Sequence, residues 1–268
     1  MKKFSLFFIA IFVVALALTA CSSGADNEAA EAPAEPKPTA VSNVPDQPEE
    51  SKSNDEAMAE ESEPEAPPEV EVDTSKDLFD SAAMMEDMGA YVLRPEDMPN
   101  QYKIPSNGEQ HMTNLKVINS VGEVVGKRYL AATGRIDGWS LELERVNKEE
   151  LIPYKIFSQI EIFETSDGAA AAFGPDWLPV YQEGEEGDPS PKWIEDGCDL
   201  GDACLMYYYE TLDPTTELTI LQYEIVFVDK NVIAKVMGRS PDYDMNPEYI
   251  QNLAQTLFDK VDAAPLAE

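Results

Sequence analysis

The chain has 268 residues, 52 of them acidic and 19 basic, for a formal net charge of -33 at pH 7. Such a charge repels phosphate backbones and anionic head groups, so nucleic acid is excluded as a partner and any membrane attachment must come from a lipid. One histidine and three cysteines leave little for metal or nucleophilic chemistry.

Lys2 and Lys3 precede an apolar run from Phe4 to Leu18, which ends in small residues before Cys21 as a secretory signal does at its cleavage site. The run is shorter than the ~20 residues a membrane span needs, and no basic stop-transfer cluster follows it. Leu18-Thr19-Ala20-Cys21 resembles the lipobox of bacterial lipoproteins. The resemblance implies that residues 1–20 are a signal peptide and that Cys21 is lipidated. Palmitate-type chains would then hold the protein on the extracytoplasmic face of the cell membrane. A lipoprotein cysteine carries at least two acyl chains, enough for stable anchoring at roughly 0.8 kcal/mol per buried CH₂.

Residues 21–76 are rich in Ala, Glu, Pro and Ser and contain no aromatic side chain. They cannot bury enough apolar surface to offset chain entropy, so they read as a disordered acidic tether. A flexible coil of some 55 residues has a root-mean-square span of about 40 Å. Residues 77–264 are then one domain with a core of its own.

Within the domain, Asp77 to Met88 has helical spacing through Leu78, Phe79, Ala82 and Met85, and Pro95 to Pro99 forms a single helical turn. Thr113 to Val125 reads as a helix with an apolar stripe of Leu115, Ile118, Val121 and Val125, weakened at Gly122 and ended by Gly126. The period then changes to two. Trp139 to Glu144 and Ile156 to Phe163 alternate as strands, and Thr165 caps a helix that runs through Ala169 to Phe173. Leu205 to Glu210, Leu218 to Val228 and Val232 to Met237 are three more strands, the last two joined as a hairpin across Asp229, Lys230 and Asn231. Asn246 caps a final helix with Pro247 at its first position and Ile250, Leu253, Ala254, Leu257 and Val261 on one face. The expected class is α+β, a mainly antiparallel twisted sheet of about five strands with packed helices.

Cys198 and Cys204 are an even pair in a compartment where disulfides persist, and they are expected to bond. Zinc would need two further ligands, and His111 is the one histidine. No G-x-S-x-G, S-x-x-K, H-E-x-x-H or Gly-Lys-Ser/Thr pattern occurs, so His111 reads as a surface or capping residue, and the chain is expected to be no enzyme and to carry no cofactor. Asp242, Asp244 and Asn246 have the spacing that opens an EF-hand calcium loop, but Pro247 and Leu253 occupy its required Gly and Glu positions, which favours helix capping. Glu195, Asp196, Asp199 and Asp202 form a second acidic cluster, read as a solvated loop. Glu142, Glu144, Gln159, Glu161, Gln222, Glu224 and Lys235 sit among apolar strand positions, so one sheet face carries many polar groups. Tyr207, Tyr208 and Tyr209 add rings to both faces of their strand. Tyr207, Tyr209, Glu142, Glu144 and Glu224 are the ligand-binding candidates.

Four features resemble the extracytoplasmic sensor domains of mycobacterial serine/threonine kinases and PsbP-like lipoproteins. They are the acid-and-proline turn at Pro95 to Pro99, the Ala-rich helix at Ala169 to Phe173, the Gly201-Asp202 pair before a strand, and the closing hairpin and helix. The resemblance spans residues 91–262 and implies a non-enzymatic receiver of a ligand or signal. The expected protein is a monomeric, membrane-anchored lipoprotein that binds a small ligand, glycan or envelope protein. Its rivals are a carboxylate-based extracytoplasmic hydrolase and a structural envelope lipoprotein.

Overall fold

The computed structural model describes residue 68, residues 70–178 and residues 189–268, with residue 242 described for its backbone alone. The expected signal peptide, Cys21 and nearly all of the expected tether lie outside these residues. Among the described residues no helix is long and apolar enough to cross a membrane.

Five α-helices occur among them: α1 (Ser81–Glu86), α2 (Asn114–Val121), α3 (Glu123–Thr133), α4 (Ser166–Phe173) and α5 (Pro247–Asp262). Eight strands, β1 (Tyr102–Lys103), β2 (Glu109–His111), β3 (Arg135–Arg145), β4 (Lys155–Phe163), β5 (Lys192–Trp193), β6 (Ala203–Leu212), β7 (Thr219–Asp229) and β8 (Val232–Pro241), form one sheet. Its order is β1-β3-β4-β8-β7-β6-β5, with β2 also on β3, and every pairing is antiparallel. The five long strands are those read from the sequence. The additional ones, β1, β2 and β5, have two or three residues each, too few to show an alternation.

Alternation gives the sheet two faces. On the inner face Leu141, Leu143, Ile156, Ile160, Ile225 and Phe227 are buried, and the stripe of α5 packs on them. That helix starts as the sequence implies: the Asn246 side chain accepts from Glu248 N at 2.9 Å, with Pro247 at the first position. Phe79, Met84, Met88, Val92 and Leu93 close the same core from the other chain end. In α1 the buried side chain is Met84, whereas Met85 is exposed.

One expected helix is two. The Thr113 hydroxyl caps α2 through Lys116 N at 3.3 Å, and Gly122 (φ 88°) breaks the run before α3 begins. Gly126, read as a stop, lies inside α3 because α2 packs on its bare backbone: a Cβ there would sit 2.6 Å from Ile118 Cα. The buried stripe moves accordingly. Val117 and Val121 are covered, while Leu115 is 66% exposed. The helix ends at Gly134, which takes the left-handed conformation (φ 61°).

The packed chain also reaches past the expected bounds of 77 and 264. Val70 and Val72 pack on the outer-face cluster, and Ser166 Oγ donates to Thr74 O at 3.0 Å. At the other end Ala267 N donates to Leu78 O at 2.9 Å. Cys198 and Cys204 form the expected disulfide, with their Cα atoms 5.9 Å apart.

Candidate functional site

The register places all seven polar positions singled out in the strands on the outer face. One cross-sheet row reads Glu142, Phe157, Met237, Glu224, Tyr207, Trp193. The row beside it toward one end reads Glu144, Lys155, Arg239, Gln222, Tyr209; toward the other it reads Ser140, Gln159, Lys235, Val226, Leu205. Val226 and Leu205 of that row join Phe163, Val228 and Ile233 in a cluster with Ala169, Ala172 and Phe173 of α4. The outer face therefore has an apolar half under helices and a polar, aromatic half.

The carboxylates Glu142, Glu144, Glu161 and Glu224 each meet a basic side chain. Glu224, 5% exposed, accepts from the Tyr207 hydroxyl at 2.9 Å and from Gln222 Nε2 at 2.6 Å, and pairs with Lys235 Nζ at 2.5 Å. Glu142 pairs with Lys155 at 2.9 Å and Glu144 with Lys103 at 3.8 Å. At the border with the helices Glu161 accepts from the Tyr129 hydroxyl at 3.0 Å and Gln159 Nε2 at 2.9 Å, and meets Arg135 Nε at 3.3 Å. Arg135 is fully buried and also donates to Asn114 Oδ1 and Met112 O, each at 2.7 Å. The buried guanidinium is compensated by the Glu161 charge and these two hydrogen bonds, while its Nε makes no hydrogen bond.

The rings line one side. Trp193 meets Tyr207 edge-on at 5.5 Å, and Tyr207 meets Tyr209 edge-on at 5.7 Å. Burial, then the Glu224 charge, raises the Tyr209 phenol above its ordinary value; burial, then Glu161, does the same to Tyr129. Both stay protonated donors at neutral pH. Tyr208 points to the inner face, where it stacks on Tyr223 at 5.0 Å.

Of the ligand candidates, Glu224, Tyr207 and Tyr209 are therefore neighbours. Glu142 and Glu144 share their face but not their locality: Glu142 and Glu224 are three strand spacings apart, about 14 Å. That exceeds the roughly 9.5 Å upper limit for paired glycosidase carboxylates.

Of the calcium candidates, the Asp242 side chain lies outside what the structure describes. Asp244 is buried against Arg145 Nη1 at 3.4 Å, and Asn246 is occupied as the cap of α5. Among the described residues no group of three or more His, Cys, Asp or Glu is placed to hold a metal. His111 lies on β2 rather than at a helix cap, with Nε2 at 2.6 Å from Asp137 Oδ2 and its ring 5.3 Å from that of Trp139. Glu195, Asp196 and Asp199 are exposed loop acids, but the Asp202 side chain is buried.

The sequence reading missed Tyr129, Arg135, Lys155 and Trp193. Lys155 is one step before the expected strand and in phase with Phe157, so extending the alternation would have reached it. Tyr129 lies beyond a helix ended too early at Gly126, Arg135 lies ahead of the first expected strand at Trp139, and Trp193 sits on a two-residue strand with no periodic signal.

No protein-family model matches the chain, and a search of curated proteins finds no match. Among solved structures the chain is similar to the extracellular domain of PknH from Mycobacterium tuberculosis, at 13% identity and a TM-score of 0.33, over 69% of this chain and 92% of that one. At that score the match decides neither fold nor function, which rest on the geometry above.

Proposed function

We propose that the protein is a membrane-anchored, extracytoplasmic binding or sensor module, held by lipid on Cys21 and acting without catalysis. Its ligand is a small polar molecule, glycan or peptide that lies on the polar half of the outer face. The observation that carries the binding reading is the Glu224–Lys235–Tyr207 group beside Tyr209 and Trp193: charge-matched donors and acceptors next to ring edges. Such a surface recognises hydroxyls and amides by hydrogen bonds and sugar or side-chain faces by aromatic contact. The Cys198–Cys204 bond supports an oxidising compartment, and the Leu18-Thr19-Ala20-Cys21 box supports the anchor.

Two measurements test this. Cells expressing the full chain are fed a clickable palmitate analogue; the label is expected on the wild type and absent from Cys21→Ala, and equal labelling of both sinks the anchor. The full-length protein is then titrated with glycans and peptides during thermal unfolding. A ligand at one hundred times its Kd should stabilise by about 2.7 kcal/mol, and that gain should vanish in Tyr209→Ala. A gain that survives Tyr209→Ala moves the site elsewhere, and turnover of a glycan replaces the binding reading with the hydrolase.

A further inference from the structure

Three stretches distant in sequence meet where β7 turns into β8. The turn carries Lys230 at φ 53° and the fully buried Asn231. Asn231 Oδ1 accepts from Phe79 N at 2.8 Å, while its Nδ2 donates to Phe79 O at 3.3 Å and to Ser81 Oγ at 3.0 Å. The C-terminal tail adds a second grip: Asp80 N donates to Pro265 O at 2.8 Å and Ala267 N to Leu78 O at 2.9 Å. The segment by which the chain enters the domain is thus pinned from two sides.

The third stretch is the disulfide loop. Cys198–Cys204 closes it around Gly201 and Asp202. Gly201 (φ 67°) runs so close to β7 that a Cβ would lie 2.3 Å from Val228 O, and Asp202 N donates to Val228 O at 2.7 Å. The Asp202 carboxylate, fully buried, accepts from Lys230 N at 2.6 Å and pairs through its other oxygen with the Lys76 ammonium. The Lys230 ammonium in turn lies 4.1 Å from the centre of the Phe79 ring. So Asp202 sits inside the covalent loop, and its two partners are the entering segment and the turn that grips it.

We propose that the Cys198–Cys204 disulfide is a redox latch, whose reduction by a dithiol loosens the docking of residues 76–81. A thiolate of the donor attacks one cystine sulfur and breaks the S–S bond, and the donor's second thiol resolves the mixed disulfide. Two electrons and two protons end on the Cys198 and Cys204 thiols, and the donor leaves as its own disulfide. Both half-cystines are partly exposed, which gives the donor access. Once opened, the loop regains chain entropy, and Asp202 is no longer held where Lys76 and Lys230 N meet it. The oxidised domain leaves its N-terminal segment at one fixed place, whereas the reduced domain lets that segment peel back.

Hydrogen exchange on the full chain, with and without dithiothreitol, tests this. The Phe79, Asp80 and Ala267 amides are expected to exchange at least about tenfold faster after reduction, with Ile160 and Val236 in the sheet unchanged. No acceleration, or the same acceleration throughout the sheet, overturns the latch. Cys198→Ser/Cys204→Ser should match the reduced wild type, and oxidised wild-type rates in that variant also overturn it. Asp202→Asn keeps the disulfide and a carbonyl for Lys230 N but loses the charge facing Lys76. Its three amides should exchange faster than wild type when oxidised, and reduction should add less than it does in the wild type. An undiminished response to reduction in Asp202→Asn excludes Asp202 as the link and with it the proposal.

Discussion

The two faces of one sheet are built from the same strands, one residue out of phase, and they do different work. The inner face is covered along its length by α5 and the N-terminal segment and buries one continuous apolar core. The outer face is apolar under α4, but over its other half it carries ion pairs, amides and rings. Burial of apolar area is non-directional and supplies most of the stability, whereas paired charges add little net and define where hydrogen bonds point. The comparison assigns stability to one face and recognition to the polar half of the other.

The sharpest way to break that assignment is Leu257→Ala, at a fully buried position where α5 meets the inner face. It should cost about 3 kcal/mol in denaturant unfolding and leave ligand affinity in the folded protein unchanged. On the outer face, Glu224→Ala removes the carboxylate that holds Lys235, Tyr207 and Gln222 together. It should cost about 2 kcal/mol, less than a fully buried pair because Lys235 is partly exposed. Replacing both partners, Glu224→Leu with Lys235→Met, should recover most of that stability yet still abolish binding. Recovery of binding along with stability would remove the outer face from the function.

A smaller effect follows from Asp229 at the β7–β8 turn. Burial raises its carboxyl above the ordinary 3.8, and Lys230 opposes that shift. Above pH 3.8 the unfolded chain gives up this proton before the folded chain does, so the group weakens folding as pH rises through its folded value. Asp229→Asn should therefore raise the unfolding midpoint more at pH 7 than at pH 4. An equal gain at both would show that the charge is not the cause. The smallest change is Glu142→Gln, because the Glu142 and Lys155 side chains are 31% and 21% exposed. A change in stability within about 0.5 kcal/mol is expected, read by the same unfolding curves.

The sequence by itself determined the five long strands, the capped α5 with its buried stripe, α4 and the disulfide. Each is written in local chemistry: a period of two or 3.6, an Asn-Pro start, or two cysteines close in the chain. It also determined that one face is polar, because Glu142, Glu144, Gln159, Glu161, Gln222, Glu224 and Lys235 alternate with apolar residues in their strands. The tertiary structure decided which of those residues meet. Strand order puts β8 between β4 and β7, so Lys235 reaches Glu224, while Glu142 ends up three strands away from it. It also decided that Gly126 is a helix contact rather than a helix end, and that Asp202, one acid among many in a loop, is buried between Lys76 and Lys230. In each case the deciding neighbour is far away along the chain. Alternation and capping report only what lies within a few residues, and packing is settled by what lies across the sheet.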